Sequence, residues 1–312
     1  MTLSVIIATR EITDDTRFCI RELEQAPEVQ EIIVLPDGPE NKIGTADVPK
    51  LHNKTLIWNT GKVSPGFKRN LGARIASGGL FGFLDGDVVP APWWASVAKQ
   101  TMKFYPEIAA LGGPSIAFYD AGYWERFSNG VYSCRIVSGK HRRRYVPSKS
   151  EYVDDLPSCN LVVRAAHFDQ AKGFPIDVWP GEDSLFCDRL LGVGKILYSS
   201  DVQVWHRRRN TPWGHISQAW RYAWHRGWFF RKYAGNSRKI EYCVPLLFVI
   251  GLACGWAVQP EIWVAAVAVY VMVVLVSAAR CIDVALYPSV VAGIVATHIT
   301  YGVGFLRGFL KR

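Results

Sequence analysis

The sequence has no pair of cysteines at C-x-x-C spacing; its seven cysteines are scattered singly. That spacing excludes a zinc knuckle and a disulfide framework, and reduced thiols point to a catalytic part on the cytosolic side. No G-x-x-x-x-G-K-[ST] occurs, and no G-x-G-x-x-G follows the first apolar run. Neither a P-loop nor a dinucleotide fingerprint is therefore available to hold phosphate. The opening "TLSVIIATRE" has no basic n-region or cleavage site, so no signal peptide is expected. Charge is absent from residues 242–258 and 262–279, and from 284–306 apart from His298. A membrane crossing needs about 20 apolar residues, with about 17 as the lower limit. Soluble helices of this composition would have no polar face.

Basic residues set the expected orientation. Arg221, Arg226, Arg231, Lys232, Arg238 and Lys239 precede the first apolar stretch, and the turn after it, "QPE", has none. The positive-inside rule then puts the N-terminal part in the cytoplasm, giving a multi-pass protein of the inner (plasma) membrane. Three full crossings would carry Arg307, Lys311 and Arg312 to the wrong side. The third stretch also contains Pro288, Gly293, Gly302 and Gly304, so it either crosses, re-enters or packs against its neighbours.

Ahead of the membrane region the pattern alternates. "LSVIIA" reads as a buried strand, a helix follows near 14–26, then the strands "EIIVLPDG" and "TLIWNT", and a helix from about Pro65 to Ser77. Such alternation predicts βαβ units and a mainly parallel sheet, with ligands outside the carboxyl ends of the strands. Thr9 and Arg10 end the first strand and Asp37 the second. In "GLFGFLDGDVVP" an apolar run feeds straight into Asp85 and Asp87. Two carboxylates one residue apart repel, and a hard divalent cation shared with phosphate oxygens relieves that repulsion.

These segments, in order, resemble the family 2 glycosyltransferases of membrane-anchored bacterial type, over roughly residues 3–207. "SVIIATRE" is similar to their opening strand and turn, and "IIVLPDGP" to their second strand. "GFKRNLGARIASGGLFGFLDGD" resembles their basic helix leading into D-x-D, and "GFPIDVWPGEDSLFCDRLL" their acceptor-side segment. The resemblance implies a GT-A fold: an α/β, Rossmann-like mixed sheet followed by C-terminal transmembrane helices. It also implies roles. Thr9, Arg10 and Asp37 would hold base and ribose, Asp85 the ribose or metal region, and Lys68 or Arg69 the diphosphate. Asp87 would bind Mg2+ or Mn2+, and Asp183, beside Glu182, would be the base of an inverting transfer from a nucleotide-sugar. The sequence departs from the family in having Leu-Pro-Asp-Gly where a second acid often precedes the Asp. It also lacks the Q-x-x-R-W of processive members.

The chemistry is consistent with those roles. A departing diphosphate needs charge stabilisation, and an acceptor hydroxyl needs a base. Glu182 and Asp183 open an expected helix, where acids also serve as ordinary dipole complements. His206, ending "KILYSSDVQVWH", either completes the metal site or is simply hydrogen-bonded. Arg207, with Arg208 and Arg209, suits phosphate. His141 and Arg142 to Arg144 read as solvated or lipid-facing.

Residues 213–233 mix Trp, Phe and Tyr with Arg and Lys. Directly before a span, that composition suits anionic membrane lipids rather than nucleic acid. The expected division is a catalytic domain over 1–212, an amphipathic interface helix and linker over 213–241, and a membrane region over 242–312. The expected activity is transfer to a polyprenyl-phosphate-linked or other envelope glycan acceptor. Two alternatives stand beside it: direct transfer to polyprenyl phosphate, as in dolichol-phosphate-mannose-like synthases, and a non-catalytic nucleotide- or glycan-binding scaffold.

Overall fold

The computed structural model describes residues 1–39, 53–280 and 283–311. Its contacts divide the chain into two units, residues 1–116 with 146–206 and residues 117–145 with 207–312. The first unit opens with β1 (Leu3–Ala8), α1 (Asp14–Gln25), β2 (Val29–Leu35), β3 (Thr55–Ile57) and α2 (Pro65–Ile75). It continues with β4 (Leu80–Asp85), β5 (Val88–Pro90), α3 (Trp94–Phe104), β6 (Ile108–Gly112) and β7 (Ser115–Ile116). The chain then supplies α4 (Tyr123–Ser133) and α5 (Arg135–Ser138) to the second unit. It returns for β8 (Glu151–Val153), β9 (Asn160–Arg164), α6 (Ala165–Gln170), α7 (Glu182–Leu191), β10 (Lys195–Tyr198) and β11 (Val204–His206).

Eight strands form one sheet in the order β3-β2-β1-β4-β9-β6-β10-β8. β1 is parallel to both neighbours, with Ala8 opposite Leu35 on one side and Asp85 on the other. β1 and β4 are buried along nearly their whole length, as expected of central strands covered on both faces. The sheet is mixed, because β9 runs antiparallel to both β4 and β6. A small second sheet, β5-β11-β7, holds the strand that ends at His206. The run "KILYSSDVQVWH" is thus two strands in two sheets.

One face of the large sheet carries stacked aromatics. Phe83 contacts Phe168 and Phe174 with ring centroids 5.6 and 5.1 Å apart, and Phe174 meets Phe186 of α7 at 4.1 Å. Each fully buried Phe contributes about 1.5–3 kcal/mol. The cluster therefore fixes where α7 begins.

The second unit adds α8 (Pro212–Lys232), α9 (Val244–Val258), α10 (Pro260–Ala279) and α11 (Tyr287–Phe309) to α4 and α5. The catalytic domain expected over 1–212 is therefore not one compact body: 117–145 belongs with the C-terminal helices. The physical reason is apolar packing, since Phe127 and Val131 of α4 share a buried cluster with Val274, Val290 and Ile294. α8 starts at the Thr211 cap, whose hydroxyl accepts from Gly214 N, followed by Pro212, a residue suited to a first helical turn. The basic stretch 139–144 is a short 3-10 helix.

Candidate active site

Parallel pairing in register brings the ends of β2, β1 and β4 to one edge, so Thr9, Arg10, Asp37 and Asp85 converge there. Arg10 and Asp37 are joined through the backbone, Asp37 N donating to Arg10 O at 2.9 Å. The Thr9 hydroxyl donates to Glu11 O. α2 runs beneath this edge, capped by Ser64, whose hydroxyl accepts from Phe67 N. Its Lys68, almost fully buried, donates to the Asp37 carboxylate and to Thr9 O. Burial lowers the Lys68 pKa, and the Asp37 carboxylate works against that. Lys68 thus sits on the residue expected at the base and ribose.

Its neighbour Arg69 is 3% exposed and bridges two acids. Nη2 donates to Asp85 Oδ1 at 2.7 Å and Nη1 to Glu182 Oε1 at 2.8 Å. Burial alone would lower its pKa, but the two carboxylates outweigh burial and raise it. The guanidinium also lies over the Phe174 ring at 5.4 Å. Arg69, expected near the diphosphate, ties the end of β4 to the first turn of α7. That tie places Asp183, next along the chain, on the helix anchored to the carboxyl edge of the sheet. Asp183 Oδ1 accepts from Ser184 N at 2.9 Å. The Ser184 hydroxyl donates to Asp155, a buried carboxylate that sequence reasoning did not single out. The acidic pair Asp154-Asp155 was its only signal. Asn70, one turn along α2, closes a two-way hydrogen bond with the Phe174 backbone and fixes the loop before α7.

Asp87 stands in the β4–β5 turn and meets His206 at the end of β11, Oδ1 to Nε2 3.3 Å. The turn is tight. A Cβ on Gly86 would lie 2.2 Å from the Thr9 hydroxyl oxygen, and Thr16 donates to Gly86 O at 2.7 Å. Antiparallel pairing of β5 with β11, Val88 opposite His206, holds the pair together. Burial acts to lower the His206 pKa, but Asp87 and then Cys159 prevail and raise it to about 10. The imidazolium proton therefore occupies the place between a carboxylate and an imidazole that a divalent cation can take. Asp87 is 47% exposed, leaving room for phosphate oxygens in the same shell. Among the described residues no group of three or more His, Cys, Asp or Glu is placed to hold a metal ion; Asp87 and His206 stand as a pair. Two protein donors plus diphosphate is a donor set that suits Mg2+ or Mn2+.

Arg207, expected at the donor, belongs to the second unit, where it opens the segment 207–312. Its guanidinium is bidentate on Asp120, at 2.8 and 3.1 Å, and lies over Phe118 at 4.1 Å.

A family model for glycosyl transferase family 2 matches residues 4–168. Among solved structures, the mannosyltransferase PcManGT from Pyrobaculum calidifontis, in complex with GDP-Man and Mn2+, superposes with a TM-score of 0.55 at 15% identity. That match covers 96% of this chain and 86% of the other. GalNAc-T7, solved with UDP, GalNAc and Mn2+, gives 0.50 at 14% identity, covering 74% of this chain and 50% of that one. TarS from S. aureus, with UDP-GlcNAc, gives 0.48 at 16%, covering 98% and 91%. No curated protein sequence matches significantly. The first two likenesses show the GT-A fold.

Proposed function

The chain belongs to glycosyl transferase family 2 and is a glycosyltransferase, and on that premise we propose that it is an inverting, metal-dependent enzyme. It would move a sugar from a nucleotide-sugar to a lipid-linked or envelope glycan acceptor at the cytoplasmic face of the inner membrane. The single observation that carries this reading is the carboxylate edge. Asp37, Asp85 and Asp87 close one side, and the Asp85–Arg69–Glu182 bridge delivers Asp183.

In this reading Thr9, Arg10 and Asp37 hold base and ribose, with Lys68 fixing the Asp37 carboxylate. Asp87 and His206 would hold Mg2+ or Mn2+; the cation, when bound, would neutralise charge developing on the leaving diphosphate. The Mn2+ in the PcManGT and GalNAc-T7 structures supports that choice, and their GDP-Man and UDP name the nucleotides to try first. Asp183 accepts the acceptor hydroxyl proton as that oxygen attacks the anomeric carbon. The bond from that carbon to the diphosphate oxygen breaks, its electron pair leaves with the nucleoside diphosphate, and configuration inverts. Arg69 acts through Glu182 and Asp85, as a positioning residue.

The test is a thermal-shift and nucleotide-release panel of UDP-, GDP- and dTDP-sugars with either cation, since a ligand of the native state raises apparent stability. In the same panel Asp183→Asn should lower turnover about 10²-fold or more while donor binding stays near wild type. Loss of donor affinity instead would make Asp183 a sugar-positioning group.

A further inference from the structure

Three helical stretches are long and apolar enough to cross a membrane: Ile240–Val258, Pro260–Ala279 and Val284–Phe309. The first two form a hairpin about the turn at Gln259. Trp263 Nε1 donates to Leu252 O at 3.2 Å, and the rings of Phe248 and Tyr270 lie 4.5 Å apart. Phe248 is eleven residues before the turn and Tyr270 eleven after it. Distance from the turn therefore serves as a ruler of depth along the hairpin.

Measured on that ruler, α11 hardly advances. Near its start, Tyr287 donates to Leu275 O at 3.3 Å, sixteen residues from the turn. In its middle, His298 meets Phe248 and Tyr270 at centroid distances of 6.0 and 5.9 Å, eleven from the turn. Further on, a Cβ on Gly302 would lie 2.4 Å from Pro245 O and 2.6 Å from Val249, fourteen and ten residues from the turn. From 287 to 302 an α-helix travels about 22 Å. A crossing helix would use that length to approach the turn, whereas these contacts stay ten or more residues short of it. α11 runs across the open end of the hairpin.

Its other neighbours agree. α8 is too charged to cross, and α11 runs alongside it in the same direction. His215 bonds Thr297 at 2.9 Å, a Cβ on Gly308 would lie 1.8 Å from Trp224 O, and Arg231 donates to Phe309 O at 3.2 Å. In the most apolar window of α11, 39% is buried inside the protein, against 6% and 11% for the two hairpin helices. Its exposed large apolar side chains, Ile299, Val303, Leu306 and Phe309, form one stripe, and Arg307 is exposed near its end. Such a helix has one face for protein and one for acyl chains.

We infer that α11 lies in the plane of the membrane beside α8, its apolar stripe in one leaflet, so that α9–α10 is the crossing element among the described residues. The chain would then end on the side where α8 lies. Arg307 and Lys311 would join the cations of α8 at one anionic lipid surface, as positive-inside asymmetry requires. Lys311 already lies over the Trp224 and Trp228 rings at 4.4 and 4.8 Å. None of this depends on the donor chemistry proposed above.

Single nitroxides on the full chain in liposomes test it, carried by Ala292→Cys, Ile299→Cys and Leu306→Cys with the other cysteines replaced by alanine. Collision depths that agree within about 5 Å are expected for an in-plane helix. A crossing helix would instead change depth by about 20 Å between the first and last sites. In cells, a C-terminal green fluorescent protein should fluoresce and a C-terminal alkaline phosphatase stay inactive, while a phosphatase inserted at Gln259 is active. A steep depth gradient, or an active C-terminal phosphatase, overturns the inference. These readouts need no enzyme activity, so they stay separate from the fate of the catalytic reading.

Discussion

Asp87 and Arg69 show how differently two charged residues at one edge are used. Asp87 is half exposed and pairs with a histidine whose proton a bound cation would displace; Arg69 is sealed between two acids. Asp87→Ala should abolish transfer and weaken metal-dependent nucleotide binding, because the cation loses its charged protein donor. Titrating nucleotide with and without Mn2+ checks this, and undiminished, still metal-dependent activity would remove Asp87 from the site. Arg69→Met leaves Glu182 buried without its partner. Breaking one side of a buried pair costs about 3–5 kcal/mol, so its denaturant midpoint should fall clearly below wild type. Arg69→Lys should recover only part of the loss, since an ammonium cannot span both carboxylates in the fork geometry of a guanidinium. The D-x-D spacing marked Asp87 and the resemblance to family 2 glycosyltransferases marked Arg69; only the fold separates the exposed carboxylate from the buried bridge.

Among elements, β1, β2, β4, α1 and α2 were legible, because apolar runs bounded by polar edges are local signals. The antiparallel β9 and the division of "KILYSSDVQVWH" between two sheets were not, since both depend on partners distant in sequence. The same holds for α4, which looks like part of a catalytic domain until its apolar face finds α11. The Ser128–His215–Thr297 contact joins α4, α8 and α11, with both imidazole nitrogens bonded at 2.9 Å. Burial lowers the His215 pKa to about 4, against an ordinary value of about 6.5. Above about 6.5 neither folded nor unfolded chain is protonated there, and this histidine leaves stability unchanged. As pH falls from 6.5 towards 4 the unfolded chain takes up a proton that the folded one refuses, so stability drops by up to about 3 kcal/mol. Melting temperatures of the detergent-solubilised protein between pH 7.5 and 4.5 should show that decline. His215→Gln should flatten it, though His225, also lowered to about 4 by burial and then by Lys311 and Arg221, keeps part of the slope. An unchanged slope would mean the three-helix contact does not resist protonation.

At the scale of the whole molecule, a formal charge of +9 acquires meaning from where the cations stand. The basic residues of 213–233, which the sequence marks as suited to anionic lipid, include Arg221, Arg226 and Arg231. In the folded chain Arg226 lies over the Tyr242 ring at 4.4 Å, part of the packing within its unit, while Lys232 is exposed beside Trp228. The set to test is therefore Arg221, Arg231 and Lys232, all exposed on α8. A lipid acceptor keeps its tail in the bilayer, so transfer requires the enzyme to stay seated at the surface; donor hydrolysis by water does not. Each basic residue near an anionic surface contributes about 1 kcal/mol, and three changes to Gln together should lower the equilibrium for seating by about two orders of magnitude. A hairpin that crosses the bilayer would keep the protein there regardless, so the loss should appear as reduced transfer to a lipid acceptor, with hydrolysis of the donor spared. In vesicles without anionic lipid, wild type and variant should converge, and raising salt should narrow the gap for the same reason. If both reactions fall equally in detergent, these three side chains support the catalytic fold rather than its seat on the membrane.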